Sequence, residues 1–140
     1  MRTFGVNELV VVYGGVRVTG WADGEFISVV LDSDIFTETN GADGEVARVK
    51  SKKLMATATL RLLQTSPTND AFSAFLIEDI ASNLTQPFII KDLNGTTILD
   101  ASQCYIKKFT DISYGTENVN REWTIKIPKL LGFVGGNFIQ

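Results

Sequence analysis

The sequence predicts a mainly β chain, an antiparallel β-sandwich or barrel with one flanking α-helix, and three observations predict it. Short runs rich in Val, Ile, Thr and aromatic residues recur through both halves of the 140 residues. Gly-Gly and Asn-Gly turns join neighbouring runs as hairpins, which favours antiparallel pairing. Only one stretch carries a helical period. The count is about eight strands and one central helix, in a single domain spanning 1–140 with no repeat or low-complexity linker.

Taken in order, residues 9–13 and 16–19 flank Gly14-Gly15, whose tolerance of positive φ suits a tight hairpin. Residues 26–31 form a short strand with Ile27, Val29 and Leu31 on one face and Phe26, Ser28 and Val30 on the other. Both faces are largely apolar, as in a doubly covered strand or one at a subunit contact. Residues 37–53 read as a long polar hairpin or loop around the turn-rich Asn40-Gly41-Ala42-Asp43-Gly44. Such a segment is either a surface excursion or an arm that orders against a neighbouring subunit. In residues 54–62, Leu54, Ala56, Ala58, Leu60 and Leu62 share a core face, leaving Met55, Thr57, Thr59 and Arg61 on a wet one.

Ser66 as N-cap, Pro67 at the first helical position and Asp70 in the first turn open a helix over 66–84. Phe72, Phe75, Leu76, Ile80 and Leu84 give it an apolar stripe, and Pro87 forbids its continuation. Residues 88–93 and 96–99 then pair across Asn94-Gly95, and 102–111 and 120–129 are two longer strands. Trp123, Ile125 and Ile127 face inward, and Pro128 belongs at an edge or strand end. The glycine-rich tail from 132 either frays or docks on a partner.

Composition narrows the chemistry. Thirteen basic residues against 16 acidic ones give a net charge of −3, which argues against a basic groove for tight nucleic-acid binding. The absence of histidine removes the commonest general base and metal imidazole. Cys104 is the single cysteine, so no internal disulfide or thiolate zinc site can form, and it reads as an inert core residue. The N-terminus lacks a signal core, and apolar runs fall short of a membrane helix, so the expectation is a soluble cytoplasmic product.

No motif replaces what composition removes. Asp32 and Asp34 point the same way and could be imagined around a divalent ion, but a solvated strand end is the simpler reading. Adjacent Glu78 and Asp79 do not face each other on a helix. Gly41-Ala42-Asp43-Gly44-Glu45 lacks the Lys-Ser/Thr of a phosphate loop, and the basic cluster Arg48, Lys50, Lys52 and Lys53 lacks interleaved aromatics. The expectation is a non-enzyme without cofactor or metal. Charge is nevertheless asymmetric: residues 1–45 hold two basic against eight acidic residues, and residues 46–140 hold eleven against eight. Copies exposing these segments on different faces would meet head to tail, as in rings or filaments.

A hairpin and strand leading into Asn40-Gly41-Ala42-Asp43-Gly44-Glu45-Val46-Ala47-Arg48, then Ala56-Thr57-Ala58-Thr59-Leu60, then Gln64-Thr65-Ser66-Pro67-Thr68-Asn69 and a single helix, together resemble the tail tube proteins of contractile-tailed bacteriophages. These are similar in fold to the type VI secretion tube protein. The resemblance implies stacked hexameric rings of this chain, forming the hollow tube through which phage DNA reaches the host. It implies a virion location after assembly in the bacterial cytoplasm. It also implies contact with tail sheath, baseplate or initiator, terminator and tape measure proteins, transient passage of double-stranded DNA, and no membrane insertion by the subunit. On that reading the segment 37–53 reaches neighbouring subunits, with Asn40, Gly41, Asp43, Gly44, Glu45, Arg48 and Lys50 as candidate interface residues. Thr57, Thr59 and Arg61 become candidate lumen residues, with Arg61 paired to an acid such as Asp32. The alternatives are a tube subunit of a non-phage contractile injection system, or a small ligand- or carbohydrate-binding β-sandwich using Trp21; an enzyme built on Asp32 and Asp34 stands third.

Overall fold

The computed structural model describes residues 9–50, 54–93, 95, 97–116 and 119–133; Lys52, Lys53, Asn94, Thr96 and the tail from 134 lie outside the described residues. Ten strands and one helix follow in the order β1 (Leu9–Tyr13), β2 (Val16–Arg17), β3 (Ile27–Leu31), β4 (Phe36–Asn40), β5 (Val46–Lys50), β6 (Ala56–Leu63), α1 (Thr68–Ser82), β7 (Gln86–Asp92), β8 (Ile98–Ile106), β9 (Asn120–Ile127) and β10 (Leu131–Phe133). All pairings are antiparallel, as the hairpin signals predict. An eight-stranded sheet runs β2-β1-β7-β8-β9-β6-β3 with β10 beside β8, and β4-β5 form a separate two-stranded sheet.

Strand β8 connects two halves of the large sheet. Its first part pairs with β7, and its last residues, Tyr105 and Ile106, pair with β9. The residues expected as two strands, 96–99 and 102–111, are this one strand, ending at Ile106. A β-bulge explains the misreading. Gln86 faces Cys104 while Phe88 faces Ala101, so β8 carries an extra residue there. Buried positions shift phase across it, from Leu99 and Ala101 to Cys104 and Ile106. A bulge re-aims side chains in this way and makes one strand look like two to a period-two reading. Pro87 sits opposite the bulge, where a missing N–H disrupts no regular ladder, and its carbonyl accepts the Gly14 N–H at 2.9 Å. On the other edge of β8, β9 and β10 keep one register across Pro128: Lys126 faces Tyr105 and Leu131 faces Asp100.

The core lies between the sheet halves and α1. Trp123, Phe72, Phe88, Leu60, Leu62, Ile125, Ile127, Val11 and Cys104 are fully buried. Each large side chain contributes about 1.5–3 kcal/mol of hydrophobic stabilisation. Tyr13 meets the edges of Phe72, Phe75 and Phe88 at centroid distances of 5.6, 5.3 and 6.2 Å. Burial raises its phenol pKa well above the ordinary value. The expected inward faces of residues 54–62 and 120–129 are buried as read, at Ala56, Ala58, Leu60 and Leu62 and at Trp123, Ile125 and Ile127.

Helix α1 starts as its sequence directs. Pro67 already has helical dihedrals (φ −66°, ψ −17°), and Ser66 Oγ accepts the Thr68 N–H at 3.2 Å. Ser66 Oγ also donates to the Thr19 carbonyl at 2.6 Å, and the Thr19 N–H donates to Thr68 Oγ1 at 3.1 Å. The second strand, expected over 16–19, ends at Arg17; the Val18 N–H still bonds the Val11 carbonyl at 2.8 Å, and these bonds take Thr19 to the helix start instead. Asn69 joins the helix start to the sheet: Trp123 Nε1 donates to its Oδ1 at 2.9 Å, and its Nδ2 donates to the Leu63 carbonyl at 2.9 Å. The helix stops before the expected residue 84, because Asn83 adopts a left-handed conformation (φ 53°) and donates its N–H to the Asp79 carbonyl. The expected stripe is correct only in part. Phe72 and Leu76 are buried and Phe75 half-buried, whereas Ile80 and Leu84 are exposed.

Candidate assembly surfaces

Strands β3, β6 and β9 turn a polar face outward, because side chains alternate and the other face is committed to the core. Thr57, Thr59 and Arg61 lie on this face, opposite Lys126, Thr124 and Glu122 of β9. On the other side of β6, Val30 and Ser28 of β3 face Thr57 and Thr59. Lys126 Nζ donates to Asp32 Oδ2 at 2.6 Å and to Thr57 Oγ1 at 2.9 Å, and Thr57 Oγ1 donates to Asp32 Oδ1 at 2.7 Å. The Lys126 hydrogen bond, and then the Thr57 one, hold the Asp32 carboxyl below its usual pKa. Arg61 pairs with Glu122 at 3.4 Å, not with Asp32 as expected. The reason is register: Arg61 and Glu122 are direct cross-strand neighbours, whereas Asp32 follows the opposite end of β3 from the residues near Arg61.

The two cations that β6 and β9 place on this face, Arg61 and Lys126, thus each meet an acid, although surface pairs of this kind contribute little stability. Sequence reasoning singled out the β6 side and missed its partners, Asp32 excepted. Lys126 and Glu122 were legible only as outward positions of a strand whose pairing was unknown.

The seven candidate interface residues are brought together on one projecting hairpin. Asn40 ends β4, Gly41 to Glu45 form the turn, and Arg48 and Lys50 lie on β5; all are exposed. Gly41 donates to the Glu45 carbonyl at 2.6 Å, Gly44 to the Gly41 carbonyl at 3.1 Å, and Glu45 N–H to Asp43 Oδ1 at 3.3 Å. Gly44, at φ 88°, supplies a conformation that side chains disfavour. Phe36, Glu38 and Asn40 share one face with Val46, Arg48 and Lys50, and the Arg48 guanidinium sits 4.3 Å from the Phe36 ring centroid. Every residue of both strands is exposed, Phe36, Val46 and Val49 included.

The sequence reading did not single out two further surfaces as surfaces. Residues 107–116 expose Phe109, Ile112 (76%) and Tyr114 (80%). Buried Arg121 holds this segment by donating to the Asp111 and Ser113 carbonyls at 3.1 and 3.4 Å, with Tyr114 stacked 5.3 Å away. Lys108, Thr110, Glu122 and Thr124 help line an open cleft of ≈ 300 Å³ beside it. The large apolar residues at 109, 112 and 114 were the available signal. On α1, Ile77 and Ile80 are exposed, and so is Leu84 just past the left-handed Asn83 that ends the helix.

The residues proposed for chemistry are not assembled into a site. Asp32 is engaged with Lys126 and Thr57, and among the described residues no three ligating side chains cluster as a metal would need. Trp21 is half-buried against Phe26, with ring centroids 5.0 Å apart. Burial, and secondarily Asp100, pushes the Cys104 thiol up to about 11, away from the reactive thiolate.

Comparison with known proteins places this architecture. The chain is 29% identical over 123 residues to a structural protein, ORF10, of Pseudomonas phage KPP10, covering 86% of this chain and 71% of that one. Its fold matches the tube-terminating cap of the anti-feeding prophage with a TM-score of 0.64 at 12% identity, over 95% of this chain and 92% of that one. It matches the sheath/tube terminator of an extracellular contractile injection system at 0.65 and 15% identity, over 96% and 99% of the two chains. A chain of the sheath–tube complex of the same kind of system matches at 0.63 and 13%, over 94% and 91%. No family model matches. The fold is therefore one found in a tube-terminating cap, in a sheath/tube terminator and in a sheath–tube complex of such systems, and a sequence relative is a phage structural protein.

Proposed function

We propose that this chain is a structural component of a phage-type tail or related contractile particle, and that it works by self-assembly rather than catalysis. The carrying observation is the β4–β5 hairpin, ten strand residues all exposed and, among the described residues, paired only with each other in a sheet of their own. An isolated hairpin is marginally stable in water, so one that exposes Phe36, Val46 and Val49 is suited to ordering on a neighbour.

The finer reading is a tube subunit: hexameric rings that stack into a hollow tube inside a sheath, with DNA passing through. The outward face of β3, β6 and β9 would then line the lumen. Pairing Lys126 with Asp32 and Arg61 with Glu122 offsets the cations that would otherwise hold phosphates, so a duplex slides past. The likeness to terminator chains favours a second reading, a capping ring that does not stack.

Negative-stain electron microscopy with mass photometry on the purified chain separates these. Hollow tubes of one diameter are expected for the tube subunit, and single rings that never elongate identify a terminator. A chain that stays monomeric at every concentration counts against both.

A further inference from the structure

We propose that residues 134–140 fold back over the outward face of β1, β7 and β8 and cover it within one copy. The inference goes beyond the assembly reading and does not depend on it.

The two halves of the large sheet turn outward faces of opposite character. On β6 and β9 that face is threonine and paired charges. On β1, β7 and β8 alternate residues are buried, Val11, Phe88 and Leu99 among them, so Val10, Val12, Ile89, Lys91, Ile98 and Asp100 point the other way. Register gathers the four apolar ones into a patch: Val12 lies opposite Ile89, and Val10 and Ile98 lie opposite Lys91 from its two sides. Ile89 and Ile98 are 39% and 46% exposed, and Val10 and Val12 are half-buried. Strands apolar on both faces are characteristically those covered on both.

The occupant follows from where the chain goes next. Strand β10 extends this half, with Leu131 opposite Asp100 and Phe133 opposite Ile98, so the tail departs from the row that carries Ile98. Gly135-Gly136 come two residues later, and glycines accept the positive φ that a tight reversal needs. Beyond them Asn137-Phe138-Ile139-Gln140 can extend roughly 13 Å, close to the three strand spacings of about 4.8 Å that carry β10 past β8 and β7 to β1. The tail has no charged side chain and supplies Phe138 and Ile139 to the exposed isoleucines, whereas residues 1–8, entering the same half at Leu9, carry Arg2 and Glu8. Closing so short a loop costs little chain entropy, which favours the chain's own tail over a neighbour's. Removal of apolar surface from water drives the contact.

Disulfide trapping in the full-length monomer tests this. Ile98→Cys with Phe138→Cys in one chain should close an internal bond about tenfold or more faster than Thr59→Cys with Phe138→Cys, which puts the first thiol on the polar face. The readout is loss of both engineered thiols in the monomer peak, buried Cys104 staying out of reach. Equal rates at the two faces overturn the proposal. Cross-linked pairs from the mixed single variants, without the internal bond, give the face to a second copy and overturn it too. Removing residues 134–140 should raise the fluorescence of a dye for apolar surface several-fold, and adding Ile89→Ser and Ile98→Ser to the shortened chain should reverse the rise. Dye binding unchanged by that truncation overturns the proposal, and a rise on removing residues 2–8 instead names the N-terminal segment as the cover.

Discussion

The β1–β2 hairpin and the β4–β5 hairpin both turn on glycines at positive φ, Gly14 and Gly15 at 60° and 83° and Gly44 at 88°. The first is fixed to the body: Val11 and Tyr13 are buried, β1 pairs with β7 along its length, and Tyr13 touches three aromatic rings. The second stands clear of the sheet. The difference lies in the distribution of large side chains, not in turn chemistry. In β1 three of them, Leu9, Val11 and Tyr13, recur on one face. In the arm, Phe36 and Val46 fall on one face and Val49 on the other, between threonines and charges. Turn residues specify that a hairpin forms; a coherent apolar face decides whether it docks on its own chain.

Removing the arm gives the largest expected contrast. Replacing residues 36–50 with a short Gly-Ser linker should abolish assembly, read by mass photometry and electron microscopy. The thermal midpoint of the monomer should stay near the wild-type value, because no core residue is touched. Normal polymerisation of that variant would remove the arm from the assembly mechanism. Single truncations sharpen the same comparison. Tyr13→Ala should cost about 3–5 kcal/mol in denaturant unfolding, whereas Phe36→Ala should stay within about 0.5 kcal/mol in the monomer. Similar losses from the two would mean that the arm packs on its own body in solution.

The glycines supply a subtler pair. A Cβ on Gly14 would lie 2.6 Å from the Phe75 ring, whereas one on Gly44 would meet nothing within 4 Å. Both positions carry a positive φ, which costs an ordinary residue about 1–2 kcal/mol. Gly14→Ala should lower global stability by at least that amount. Gly44→Ala should strain only the arm, leaving the global midpoint unchanged while raising amide exchange at Gly41 and Glu45.

These contrasts also explain what was legible. The inward faces of β6 and β9, the Ser66-Pro67 helix start and the arm itself follow from alternation, capping and turn residues within short windows. The continuity of β8 was hidden by a bulge whose cause, Pro87 opposite Ser102 and Gln103, lies on a different strand. Exposure of Ile80 was hidden because spacing shows which residues share a helix face but not which of them the sheet covers, and Leu84 lies past the left-handed Asn83 that stops the helix. Arg61 was matched to the wrong acid because cross-strand partners depend on register, and the choice between Asp32 and Glu122 is a matter of which end of β6 each one reaches.

Asp32 marks the junction between the docked and the free region, and its titration gives the smallest effect. It follows β3, precedes the arm, and is clamped by Lys126 and Thr57. Those donors favour the charged carboxylate, so its folded pKa lies below the unfolded value. A depressed carboxylate pKa adds stability that is present at neutral pH and is lost as the pH falls through the folded pKa. The exposed position and surrounding salt keep this contribution small. Asp32→Asn should therefore unfold slightly more easily than wild type near neutrality, and the two should converge below the usual carboxylate range. A gap that persists unchanged into acid would mean that the Asp32 side chain acts through its neutral hydrogen bonds and not through its charge. Convergence would show that the pair with Lys126 ties the base of the arm to β9, leaving the shank beyond it free to find a neighbour.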